Sequence, residues 1–246
     1  GIAPANPCSD SVFVRRVYLD VIGIPPTPSQ VTDFLADGAA DKRARLIESL
    51  LEREEFAEYW SMKWCDLLRV KAEFPINLWP NAVQAYTRWI HQTVRANMPY
   101  DRFARELLTS SGSNFRVPPV NFYRAVQNRE PVGLAEAAAL TFMGVRIANW
   151  DEARRANLAA VFSRVAFKPT DEWKEQIVLP DPAAKGDLHL VLPDGTRVTV
   201  REGSDEGEGS QRTPGHGRSL PRAPDPGEVW RRRHGAGGSK RSPAAW

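Results

Sequence analysis

Between residues 110 and 124 the chain reads SSGSNFRVPPVNFYR, its densest run of groups able to hold a ligand. Arg116 or Arg124 could grip an anionic group through the planar guanidinium fork. Asn114 and Asn121 could orient a ligand with their amides, and Tyr123 could stack or donate. Ser113 adds a hydroxyl, Gly112 allows close backbone approach, and Pro118-Pro119 fix the path of the loop. Trp79, in the turn NLWP, is the tryptophan best placed to stay exposed and stack on a ring. The same stretch has a competing reading. Phe115, Val117, Val120 and Phe122 alternate with the polar residues, as in an extended connection that turns half its side chains into the core while Ser and Asn satisfy turns and helix ends. The alternation favours packing. If the domain has a ligand site, it lies in these residues.

Other chemistries lack their residues. The sequence contains no GxSxG elbow, HExxH pair, GxxxxGK[ST] loop or GxGxxG turn, so nucleophilic hydrolysis, zincin chemistry and phosphate or dinucleotide cradling lose their usual frameworks. Residues 1–200 hold only His91 and His189, neither with a partner at helical ligand spacing. His91, beside Ile90 on an amphipathic stretch, reads as a boundary histidine with a backbone or carboxylate partner rather than a metal ligand, and no metal site is expected. The adjacent carboxylates Glu54-Glu55, Asp151-Glu152 and Asp171-Glu172 resemble a glycosidase pair in composition alone. Neighbours on a helix point in different directions, and acidic residues suit first turns for dipole reasons. Trp60 and Trp64 fall at i, i+4 on a stripe with Phe56 and Leu67, which is core spacing, so burial is expected.

These residues need a scaffold, and 246 residues with 42% apolar content can bury a sizeable core. Of the 33 basic and 30 acidic residues, 24 and 24 fall in 1–200, and 9 and 6 in 201–246. The net +3 therefore belongs entirely to the last 46 residues, and the remainder has no basic footprint for nucleic acid. Cys8 and Cys65 supply no CxxC and no disulfide framework, though one bridge between them stays open. No stretch approaches the roughly 20 apolar residues of a membrane span.

From about residue 10 to 165 the apolar spacing is helical. Phe13, Val17 and Val21 form one stripe with Val14 and Tyr18; Leu46, Ile47, Leu50 and Leu51 form the next; Phe56, Trp60, Trp64, Leu67 and Leu68 form a third. Gly23 and Pro25-Pro26 break the first helix. In TPSQ, Thr27 can cap, Pro28 suits the first helical position and Gln30 can close a capping box. Further helices are predicted around Val83–Val94, after a cap at Asp101, over 134–143 and over 158–165. After Pro169, EWKEQIVL (172–179) reads as a strand, and LHLVLPDGTRVTV (188–200) as a hairpin around its PDG turn. The expected class is mainly α: a multi-helix orthogonal bundle over 1–168, a small β-hairpin element over 169–200, and a disordered or out-of-frame tail over 201–246.

The tail is mostly Gly, Arg, Pro, Ser and Glu, too poor in apolar residues to offset the entropy of ordering. It could be an arm whose RRRH touches phosphates or acidic lipid, or a linker. We favour a third reading, a frame shift near residue 203 of a GC-rich gene. Gly, Arg, Pro and Ala are what such codons yield out of frame, and the stretch lacks the repeats of ordinary low-complexity tails.

Three segments in order, FVRRVYLDVIGIPPTPSQVTDFLAD, EYWSMKWCDLLR and MPYDRFARELLTSSGSNF, resemble the DUF1549 domain, also called PSCyt2, of Planctomycetes and Verrucomicrobia. The resemblance covers about residues 1–200. It implies export to the periplasm or cell surface, company with a cytochrome-c-type domain, and continuation into a second domain, DUF1553, so that this chain would be a fragment of a multidomain protein. It brings no established reaction. Many relatives carry a CxxCH-like segment after the helix that closes here as LTFMGVR, but Ile147, Ala148, Asn149 and Trp150 stand in its place. Those residues supply neither thiol nor imidazole for attaching haem or ligating a metal, so no cofactor is expected in this chain and any haem would sit on a partner domain. The tail likewise departs from the ordered segment that follows the PDGT hairpin in relatives.

Two functions follow as expectations. One is a non-catalytic helical module that binds a glycan or a partner domain. The other is an enzyme subunit acting on a surface polymer or serving a c-type cytochrome, with its site at residues 113–124.

Overall fold

The computed structural model describes residues 7–72, 79–191 and 195–200. The PDG turn at 193–195 is covered in part, and the expectations for the tail lie outside the described residues. Helices α1 (Asp10–Ile22), α2 (Pro28–Ala36), α3 (Lys42–Leu51) and α4 (Glu54–Leu67) come first. The stripe of α1 is buried at Val14, Val17, Tyr18 and Ile22, and Phe34 and Leu50 close a first core over it. Helix α1 stops at Gly23, whose φ of 75° is left-handed. A Cβ there would sit 2.3 Å from Tyr59 Cδ2 of α4, so both the backbone and the close approach require glycine. The capping box before α2 forms as its sequence dictates: Thr27 Oγ1 accepts from the Gln30 N–H at 3.4 Å, and Gln30 Oε1 from the Thr27 N–H at 2.8 Å.

A second, larger core gathers Tyr86 and Ile90 of α5 (Pro80–Arg95), Phe103 and Leu107 of α6 (Tyr100–Thr109), Phe122 of α7 (Asn121–Ala125) and Leu134 of α8 (Pro131–Ala138). Burying each such side chain contributes about 1.5–3 kcal/mol. Trp89 stacks on Phe103 with ring centres 5.3 Å apart, and Trp64 covers the same ring at 4.9 Å. Helix α8 runs on into a π turn at Ala139–Met143 that ends at Gly144, and α9 (Glu152–Val161) follows, capped by Asp151, whose Oδ1 accepts from the Arg154 N–H at 2.8 Å.

The strands are stitched into this helical body. β1 (Gly112–Ser113), β2 (Val165–Pro169) and β3 (Gln176–Pro180) form an antiparallel sheet in the order β1-β3-β2, with Gly112 opposite Val178 and Phe167 opposite Val178. Val178 carries β3 into the second core. The predicted hairpin is present as β4 (Leu188–Val191) paired with β5 (Arg197–Val200). Asn157 of α9 fastens it by donating to the Val191 carbonyl at 2.6 Å and accepting from the Val191 N–H at 2.8 Å. The architecture is mainly α with small antiparallel strand pairs.

Several boundaries differ from expectation. Asp101 does not cap α6: Pro99 takes that position and Asp101 lies in the first turn, where the dipole favours it. The last helix ends at Val161, and Val165 opens β2 because its segment finds a strand partner in β3. Residues 172–175 form a turn and only Gln176–Pro180 is strand. Trp60 is half-exposed rather than buried, its indole N–H donating to the Val21 carbonyl at 3.0 Å.

Candidate functional site

The loop after α6 does not run as an alternating extended segment. It makes two residues of strand, a turn, a 3-10 turn at Pro118–Val120 and then α7. All of residues 120–126 are buried, polar and apolar alike, because Val120, Phe122, Tyr123, Ala125 and Val126 all enter the second core and the 3-10 turn before them packs on α5 and α6.

Asn114 is 0% exposed and extends the sheet with its side chain. Its N–H donates to the Gln176 carbonyl at 3.1 Å, its Oδ1 accepts from the Gln176 N–H at 2.9 Å, and its Nδ2 reaches the Lys174 carbonyl at 3.5 Å. Asn121 Nδ2 donates to the carbonyls of Asn114 at 2.8 Å and Pro118 at 3.0 Å, while its Oδ1 is buried without a partner. Tyr123 donates its hydroxyl to the Leu108 carbonyl at 2.6 Å, and burial pushes its pKa up to about 12. Ser113 donates to the Glu175 carboxylate, which also accepts from Thr170 Oγ1 at 2.7 Å. Those two hydrogen bonds, with Arg116 Nε 4.0 Å away, hold Glu175 below the usual carboxylate range.

The structure thus divides the sequence candidates. Asn114 and Tyr123 spend their polar atoms on backbone inside the fold, Asn121 does so through its Nδ2 alone, and Ser113 spends its hydroxyl on Glu175. Arg116 projects outward, its side chain 84% exposed. Arg124 is enclosed, with its Nε sealed from solvent and unpaired, and burial together with the neighbouring charge of Arg129 lowers its pKa to about 10. Trp79 is 40% exposed and meets a residue that sequence reasoning missed: Trp173, 62% exposed, stacks on it with ring centres 5.6 Å apart and planes 21° from parallel. Trp173 stands in the turn between β2 and β3, beside Lys174, whose Nζ is 5.8 Å from the ring centre, and Glu175, the anchor of the loop. The one sequence signal for it was an aromatic residue in the charged run DEWKE. Glu175, Gln176 and Arg129 were missed as well, since nothing local marks them as partners of residues 113, 114 and 124 respectively.

Clefts lie both at this region and away from it. One of about 180 Å³ lies where Ser110, Ser111 and Tyr123 face Arg164 and Val178. A larger one of about 490 Å³ is lined by Glu48, Glu52, Arg53, Glu54 and Arg95 and shares no residue with the loop. There Glu54 pairs with His91 Nε2 at 3.3 Å and Arg95 Nε at 3.1 Å, and Arg53 with Glu55, so His91 has the carboxylate partner its position suggested. Among the described residues, no three His, Cys, Asp or Glu side chains gather to hold a metal ion, and no helix is long and apolar enough to cross a membrane. Cys8 and Cys65 are free thiols.

No curated protein and no solved structure matches the chain. Residues 1–160 match the family model PSCyt2, described as a protein of unknown function (DUF1549). That match takes in well over half of the sequence, including the capped turn between α1 and α2, the tryptophan-bearing α4 and the entry to the loop, and the chain belongs to the DUF1549 (PSCyt2) family.

Proposed function

We propose that the chain is a non-catalytic binding module whose ligand is a glycan, received on the Trp79–Trp173 pair. The observation that carries this reading is the pair itself: two stacked indoles, both well exposed, where a core would have covered at least one. Sugar rings present an apolar face of C–H groups that suits an indole, and the neighbouring Lys174 and Arg116 can hydrogen-bond hydroxyls or pair with acidic substituents. The turn is firm because Glu175 and Gln176 are tied to Ser113 and Asn114, so a ligand would meet a preorganised surface. In the same proposal the module works within a larger exported protein, alongside DUF1553 and cytochrome-c-type domains.

The test is retardation of the purified chain in native gels cast with a panel of neutral and acidic polysaccharides, with the medium assayed for released reducing ends. Trp173→Ala is expected to weaken the retarding interaction about tenfold or more, the equivalent of losing one stacked ring. Undiminished retardation of that variant would refute the aromatic site. Release of reducing ends would favour the other reading, an enzyme acting on a surface polymer from residues 113–124.

A further inference from the structure

Arg124 sits on α7, only 8% exposed, in a place where a positive charge is costly. Its Nε is sealed from solvent with no acceptor. The two terminal nitrogens make no hydrogen bond among the described residues but are not sealed off. Arg129, half-buried, closes on the same place. Its Nη2 reaches the Arg124 carbonyl at 3.5 Å, its Nη1 donates to Gln176 Oε1 at 3.1 Å, and its guanidinium lies 4.9 Å from the centre of the Phe167 ring. Among the described residues neither arginine forms an ion pair. Glu175, the carboxylate next to Gln176, is already engaged by Ser113 and Thr170.

The Arg129 guanidinium is fixed by a glutamine, a ring and the backbone carbonyl of Arg124, and the buried Arg124 side chain beside it has donors left over; with no counter-charge among the described residues, the two make a half-built ion pair. We propose that Arg124 and Arg129 are the receptor for one small oxyanion: a sulfate, phosphate or carboxylate group. Guanidinium forks match the paired oxygens of such groups, and the donors that remain are all N–H, which selects an acceptor-only ligand. Nothing in this site depends on the aromatic pair, so Trp173→Ala should leave it intact.

The experiment is isothermal titration of the full 246-residue chain with sodium sulfate, and separately with a monosaccharide sulfate ester, at ionic strength held constant with chloride. Thermal melts in the same buffers accompany it. The expected result is saturable binding of at least one of the two, lost in Arg124→Met and weakened at least about tenfold in Arg129→Gln, as removing a charged hydrogen-bond partner does. At about thirty times its Kd the anion should raise the Tm of the wild-type chain by about 4–8 °C beyond the shift seen in Arg124→Met, which corrects for the general salting effect of sulfate. Tighter binding of the ester assigns the receptor to a saccharide-borne group, and tighter binding of the free ion assigns it to a solute. Arg124→Met should fold and melt no lower than wild type in chloride. The proposal is overturned if that variant fails to fold, since the charge would then be satisfied within the protein, or if sulfate and its ester bind both variants as they bind wild type.

Discussion

Replacing Asn114 by Ala tests whether one buried amide fastens the loop to the sheet. In the native structure the Gln176 N–H has the Asn114 Oδ1 as its acceptor at 2.9 Å, while Nδ2 makes only a long contact of 3.5 Å to the Lys174 carbonyl. Alanine removes the acceptor, and because Gln176 is half-buried, water replaces it in part; the loss is about 1–2 kcal/mol. The void left at a fully buried position adds roughly 1 kcal/mol. Together the substitution should cost about 2–3 kcal/mol, a fall in Tm of about 4–12 °C for a chain of this size. The decisive assay is amide hydrogen exchange, because the N–H of Gln176 owes its protection to this side chain and should exchange on the order of tenfold faster or more in the variant. The Asn114 N–H, bonded to the Gln176 carbonyl, reports whether the strands separate as a whole. Unchanged protection at Gln176 with a Tm shift below about 1 °C would refute the fastening role.

Other outcomes follow from the same geometry. Gly23→Ala forces a left-handed alanine against the Tyr59 ring and should cost at least about 2 kcal/mol in urea unfolding; a loss well under that would mean the α1 terminus is not as tight as described. Tyr123 keeps its proton to about pH 12 when folded but ionises near 10 when unfolded, so its contribution is complete below pH 10. It should fade by roughly 2–3 kcal/mol at most as pH rises through 12. Tyr123→Phe should flatten that alkaline limb, and an unchanged profile would place the cause elsewhere. Glu175, held below its usual range, contributes stability above the unfolded carboxylate pKa and loses it as pH falls through the lower folded value. Glu175→Gln should therefore flatten the acid limb of a pH–Tm curve. Dithiothreitol should leave the Tm unchanged, because Cys8 and Cys65 are free; a drop would reveal a bridge.

The helices and the cap of α2 were legible because their causes are local: a 3.6-residue stripe, a proline, and Thr27 three positions before Gln30. The β4–β5 hairpin was legible for the same reason. β1 was not, since two residues carry no periodicity and its strand character comes from β3, far along the chain. Trp79 was expected at the surface, yet its partner Trp173 lies beyond any local window. Arg124 could be named as a candidate but not placed, because an arginine on a five-residue helix reads as solvated until the helix is found enclosed on every side.

The central place of β3 sets a timetable for synthesis. Gly112 pairs with Val178, so residues 112–114 leave the ribosome well before their partners exist. At about 5–20 residues per second, this edge waits roughly 3–13 seconds, offering unpaired backbone groups to any neighbouring nascent chain. The family match ends at residue 160, before β2 and β3 begin. A chain cut at that boundary would make the wait permanent, and the open β1 edge could then pair only with an unpaired edge of another chain. Expression of this domain should therefore run past Pro180, through the last strand that shuts the sheet over Asn114.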